Sequence, residues 1–367
     1  MLRATPLAII TVCTLLSAAP RAGAAESAQR SLTIAPGREF ASDSYVHKPL
    51  PDDAPLDPKS TAYVARLQNL IVTHFAHPDV NIDGGSPPIY LVAADQPTVR
   101  VRYINWDRPE SRFAPLQTQW EAVPLPADFR SSAGTDGEAV VYQPTTGRMW
   151  EFWAMRKTGA KTRDSGGRLV EEWGAKWGGR MDDIASNPGY WITTPQGYKF
   201  GATASGIPFL AGIMTIEELQ RGQIDHVLGL SLPEVRAESW SAPAQRTDGS
   251  ANDPDAIPEG ATFRLPATLD LSAIDMDPFA RIVARAVQRH GLVVWDFAGV
   301  VGFRAENPAG QYPEGHPYWR QGGILRCPPG VEGRGALSQL IYSCWPPARL
   351  RGFPWDKLQV LQLRLSR

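Results

Sequence analysis

Cysteine is scarce in this sequence and net charge is almost nil. The 367 residues include three cysteines, and 37 Lys+Arg stand against 38 Asp+Glu, a formal net charge of −1. Without a basic excess there is no long-range field to gather nucleic acid or anionic lipid, so no nucleic-acid partner is expected. No apolar run reaches the roughly 18 residues that a membrane-crossing helix needs, so no membrane span is expected. The sharp catalytic motifs are missing as well. There is no P-loop, no G-x-G-x-x-G, no H-E-x-x-H and no G-x-S-x-G. Ser205, in Gly201-Ala-Thr-Ala-Ser-Gly206, lacks the spacing of a nucleophile elbow and reads as part of a turn.

What is present starts with a leader. Arg3 precedes an apolar stretch at 7–19, and Ala22-Gly23-Ala24 fits the small-x-small pattern of signal-peptidase cleavage. Residues 1–24 are therefore expected to be a signal peptide and the protein to be exported, to the periplasm or the extracellular medium. Cys13 lies in the leader without a lipobox, which leaves Cys327 and Cys344. In an oxidising compartment such a pair is expected to form a disulfide, stabilising by roughly 3 kcal/mol through the loop it closes.

Gly and Pro number 33 each, which favours turns and short strands over a helical bundle. Residues 25–55 lack periodicity and are expected to form a loose segment ahead of a single large β-rich domain over 56–367, with a mobile loop at 245–258. Asp57-Pro58 opens a helix whose apolar face carries Tyr63, Val64, Leu67, Leu70, Ile71 and Phe75. Thr215-x-x-Glu218 is a capping box for a short helix ending near Gly222. Asp277-Pro278 starts an amphipathic helix that Gly291 ends. Period-two or apolar runs at 89–92, 99–103, 139–142, 149–153, 224–232, 261–271 and 292–295 read as strands. The expected architecture is mainly β, a β-sandwich or jelly roll with two or three peripheral helices.

The densest chemistry runs from Gly134 to Trp153. A two-residue turn at Thr146-Gly147 would set Tyr142 opposite Glu151 and Val140 opposite Trp153. Glu138, Tyr142, Glu151 and Trp153 then share one sheet face, with Asp136 near its edge. A carboxylate among aromatic rings suits a sugar cleft, because the rings hold pyranose faces and low dielectric raises the carboxyl pKa toward general-acid use. In that register Glu138 and Glu151 lie roughly 13 Å apart, beyond the ~5–9.5 Å of a glycosidase pair. A partner for Glu151 must then come from elsewhere, with Asp136, Asp296 and His226 as candidates. Of twelve tryptophans, two or three are expected to line a groove. Trp153, Trp177 and Trp191, with Tyr142, are the candidate sugar platforms. Asp79-Val-Asn81-Ile-Asp83-Gly84 matches the first half of a calcium loop, but Tyr90 stands where the loop needs Glu, so an Asx-rich turn is the better reading and no cofactor is expected.

The stretch from Gly134 to His226 (Thr-Asp-Gly-Glu … Met-Trp-Glu-Phe-Trp … Ala-Thr-Ala-Ser-Gly-Ile-Pro … Ile-Asp-His) resembles a group of secreted bacterial proteins of undefined function. In texture these resemble jelly-roll carbohydrate-active proteins. The resemblance implies a fold and a location and assigns no catalytic residue. The expected function is hydrolysis of a polysaccharide or oligosaccharide, with Glu151 as acid or base and Asp296 or Asp136 as second carboxylate. A polysaccharide lyase is one alternative, with His226 or Tyr142 as base and Arg264 or Lys199 neutralising a uronate. A non-catalytic glycan-binding or envelope module is the other.

Overall fold

Two apolar runs, β9 (Leu228–Leu232) and β12 (Leu292–Phe297), pair in parallel at the middle of the larger sheet. Its six strands lie in the order β1 (Asp79–Asn81), β13 (Gly302–Arg304), β9, β12, β11 (Thr262–Arg264), β14 (Gln359–Val360). Parallel neighbours need a crossover, and α5 (Pro278–Arg289) is the helix leading into β12. Its Phe279, Val283 and Val287 pack, with Leu67 and Leu70 of α1 (Ser60–Thr73), against Leu228, Leu230, Leu292 and Val294. The opposite face of the same sheet offers Val293 and Trp295 to a second core. The structure, a computed structural model, describes residues 39–311, 318 and 350–367.

A four-stranded sheet covers that second face, in the order β2 (Ile89–Leu91), β4 (Ala139–Gln143), β5 (Arg148–Trp153), β8 (Trp177–Met181). Every position of β4 is buried. The sheet shares its core with α2 (Ala114–Gln119) and α3 (Phe209–Gly212). A smaller sheet in the order β3 (Arg102–Tyr103), β7 (Leu169–Ala175), β6 (Arg156–Arg163) and the pair β10 (Trp240–Ser241) with β15 (Leu365–Ser366) complete the strands described. The fold is mainly β and sandwich-like. A jelly roll is built of antiparallel strands, whereas here β1/β13, β9/β12, β2/β4 and β3/β7 are parallel. The helices number five among the described residues.

Local signals were mostly read as they occur. The Thr215–Glu218 capping box is formed at α4 (Ile216–Arg221), and Gly222 ends the helix at φ 76°. Four readings need correction. The hairpin register is Val140 opposite Glu151 and Tyr142 opposite Met149, because residues 144–147 form the connection instead of two residues. A slip of two keeps every side chain on its face, so the face survives while the spacing does not. Phe75 lies beyond the end of α1, in a left-handed conformation and exposed. From residue 39 on, the segment expected to be loose is packed: Phe40 and Val46 are buried, and Val227 donates to the Val46 carbonyl. The stretch at 245–258 is tied down by Arg246 and by Asp253, which pairs with Arg66. Asp79–Asn81 is strand β1, and Asn81 Oδ1 accepts the Asp83 amide at 3.0 Å, an Asx turn. Cys327 and Cys344 lie outside the described residues.

Candidate functional site

Glu138, immediately before β4 of the four-stranded sheet, and Asp296, in β12 of the six-stranded sheet, are joined by Arg304 of β13. Its Nη1 donates to Glu138 Oε1 at 2.5 Å and its Nη2 to Asp296 Oδ2 at 2.7 Å. The guanidinium also lies over the rings of Phe209 and Trp295, 5.1 and 5.8 Å from their centroids. These three residues line a cleft of about 680 Å³ between the sheets, together with Asp136, Trp153, Trp177, Tyr198, Lys199, Arg246, Asp248 and Phe297.

Asp296 reaches the cleft through a β-bulge. Leu292 and Val294 face the helices and Val293 and Trp295 face the second core. Strict alternation would send Asp296 to the helix side. The pairing shifts between Val294 and Asp296, so Asp296 stands opposite Ser231 after Val294 stood opposite Leu230. One extra residue re-aims the side chain, a known use of bulges beside active sites.

The carboxyls are not equivalent. Burial pushes Glu138 up to about 8, against the pull of Arg304, and its Oε2 accepts no hydrogen bond among the described residues. Burial pushes Asp296 up to about 6, again against Arg304, and the Ala204 amide donates to its Oδ1 at 3.2 Å. Burial thus favours the protonated form of Glu138 more strongly than that of Asp296, the division of states that acid/base chemistry needs. Both bonded oxygens sit on a single guanidinium, so one side chain holds the two carboxyls close together. One wall is aromatic. Trp177 stacks on Phe113 at 5.6 Å, and Tyr198 meets Phe113 edge-on at 5.1 Å.

Of the four candidate catalytic residues, Asp136 and Asp296 line this cleft. Glu151 does not. It is fully buried, accepting from the Phe209 amide at 2.6 Å and from Trp191 Nε1 at 3.2 Å. Burial still raises it to about 7. His226 is also elsewhere, between Glu218 Oε2 at 3.1 Å and the Val227 carbonyl at 2.6 Å. Burial lowers its pKa, but the Glu218 carboxylate and the hydrogen bonds outweigh that and the net shift is upward. Among the platforms, Trp153 and Trp177 line the cleft. Trp191 sits behind it, and Tyr142, raised to about 12 by burial, is at the other end of β4. Arg264 is tied to Gln359 and the Pro51 carbonyl, while Lys199 is in the cleft.

Sequence reasoning missed Glu138 as a candidate acid and missed Arg304 altogether. A signal existed for each: a glutamate directly ahead of the apolar run Ala139-Val-Val141, and an arginine inside the apolar run Val300-Val-Gly-Phe-Arg304-Ala305. A smaller cavity beside Trp173, about 240 Å³, has its Asp164 paired with Arg168 and its Glu171 paired with Lys161. Among the described residues no group of three or more His, Cys, Asp or Glu is placed to hold a metal ion. Compared with known protein families, with curated proteins and with solved structures, the chain shows no match.

Proposed function

We propose that this is an exported glycan hydrolase whose acid is Glu138 and whose second carboxylate is Asp296. The observation that carries the reading is the Glu138–Arg304–Asp296 bridge at an aromatic-walled cleft, with Glu138 Oε2 unpartnered among the described residues. In this reading Trp153 and Trp177 hold sugar rings. Glu138 gives its proton to the glycosidic oxygen as the C–O bond breaks. Water adds to the anomeric carbon and its proton passes to Asp296, with Asp136 as a neighbouring carboxylate. Arg304 bridges the two carboxyls and favours ionisation of both, while the Asp296 carboxylate helps keep the proton on Glu138. Export rests on the leader at 1–24.

The lyase reading has less support, because neither Tyr142 nor His226 lines the cleft. A binding module would use the same aromatic wall and differs only in outcome.

The test is incubation with neutral and acidic polysaccharides. A hydrolase releases reducing ends, a lyase releases unsaturated uronates, and a binding module retards in affinity gels and releases nothing. With an active substrate, kcat/KM is expected to rise with pH through about 6 as Asp296 ionises and to fall through about 8 as Glu138 loses its proton. Glu138→Gln keeps the shape but carries no transferable proton, so turnover should fall ~10²–10⁴-fold with folding intact. A folded E138Q protein of near-full activity removes Glu138 from this role.

A further inference from the structure

An arginine guanidinium has five N–H donors in a rigid fork. Arg246 spends all of them on the backbone of one short loop. Its Nε donates to the Ala204 carbonyl at 2.8 Å. Its Nη2 donates to Gly201 at 2.8 Å and to Thr203 at 2.6 Å. Its Nη1 donates to Phe200 at 3.0 Å and also to Lys199. Residues 199–204 thus wrap around a guanidinium as they would around a bound cation, and none of its five hydrogen bonds goes to a carboxylate.

The wrapped loop is part of the site. Lys199, Ala202, Thr203 and Ala204 line the cleft. The Ala204 residue is the link between arginine and carboxylate: its carbonyl accepts from Arg246 and its amide donates to Asp296 Oδ1. A hydrogen bond from an amide favours the ionised carboxylate. Arg246 itself lies within electrostatic range of Asp296.

We propose that Arg246 is the positioning residue of this site: its five-carbonyl cage sets the 199–204 wall and, through the Ala204 peptide, holds Asp296 in its reactive place and charge state. The part concerning Asp296 rests on the hydrolase reading, while the cage does not. Other groups also face Asp296. Arg304 is ion-paired with it, and Asp136, Asp248, Glu138 and Glu259 act on it through space. Arg246 also draws Asp248 and Glu259 downward, so Arg246→Ala removes the cage and their counter-charge together, whereas Arg246→Lys keeps the charge and removes only part of the cage.

Three proteins decide the matter: the full chain, Arg246→Lys and Arg246→Ala. Lysine keeps the charge but has only three donors, so at least two carbonyls lose their partner. Arg246→Ala is expected to lower kcat/KM roughly tenfold or more and to move the acid limb of its pH profile upward from the wild-type position. R246K should lie between. Added guanidinium ion should restore activity to R246A and return the limb, whereas methylammonium at equal concentration should not. Wild-type kcat/KM with an unmoved limb in R246A overturns the proposal, as does rescue by methylammonium equal to that by guanidinium. If R246A does not fold, the limb of R246K decides on the same terms. If the wild-type protein cleaves no glycan, the hydrolase reading falls and the cage is judged by thermal unfolding. Low guanidinium should then raise the Tm of R246A but not of the wild type, and a fall in both rejects the cage.

Discussion

Glu138 and Glu151 stand on one face of neighbouring strands, both buried and both with raised pKa values. What separates them is the bookkeeping of hydrogen bonds. Each Glu151 oxygen has a donor, so the residue holds Trp191 and the start of α3 in place. Glu138 has one oxygen on Arg304 and one that accepts no hydrogen bond among the described residues. Gln at position 151 has a single acceptor oxygen, so one of the two donors would lose its partner and face an amide group. Glu151→Gln is expected to cost roughly 1–3 kcal/mol of stability, seen by chemical denaturation, with little change in kcat per folded molecule. A fall in kcat of a hundredfold with unchanged stability would return Glu151 to the chemistry. The sequence showed a carboxylate between aromatics. It could not show which carboxylate had its valences filled, since the filling groups, Trp191 and Phe209, come from 40 and 58 residues away.

Among the elements, β12 and the loop at 199–204 decide the geometry of the site. The bulge in β12 is invisible in Leu292-Val-Val-Trp-Asp-Phe297, which reads as a plain strand; only its pairing with β9 makes Trp295 and Asp296 share one opposing position. The loop is also shaped by a close approach. Trp191 is slotted between Gly179 and Gly201, where an added Cβ would come within 2.7 Å and 2.2 Å of the indole. Gly201 further adopts φ 103°, a conformation L side chains avoid. Gly201→Ala is therefore expected to destabilise by more than about 1 kcal/mol and to displace Trp191. Thermal unfolding and tryptophan fluorescence would register both, and an unaltered Tm and spectrum would show that the slot can relax. The stretch at 245–258 teaches the same lesson from the other side. Its Asp, Asn, Ser, Gly and Pro content reads as a mobile loop, yet one arginine with five carbonyl partners ties it to the cleft wall. Composition reports what a segment prefers alone, and its anchoring belongs to its contacts.

In the whole molecule, the raised carboxyls act together. Burial lifts Glu138 to about 8, Glu151 and Glu306 to about 7 and Asp296 to about 6. Each binds a proton more tightly folded than unfolded. Its contribution is fully present below its unfolded pKa, near 4, and is lost as pH rises through the folded value. His290 acts oppositely: burial lowers it to about 4, so its contribution is lost as pH falls below the ordinary histidine range. Four carboxyls outweigh one imidazole between pH 5 and 8, and the Tm is expected to fall steadily across that interval; a Tm that rises from pH 5 to 8 would mean these carboxyls are ionised and compensated in the folded protein. The sequence by itself determined the strand and helix character of most segments, the mainly β class, the aromatic richness of one region and the sheet face shared by Glu138, Glu151 and Trp153. These follow from periodicity, capping and turn chemistry, which act over a few residues. Tertiary structure alone decided that Arg304 would join Glu138 to Asp296 across two sheets and that Glu151 and His226 would be consumed by structural bonds. It also decided that Arg246 would be caged. Each of these depends on which distant group supplies a buried charge with its partner, a long-range choice that no local pattern encodes.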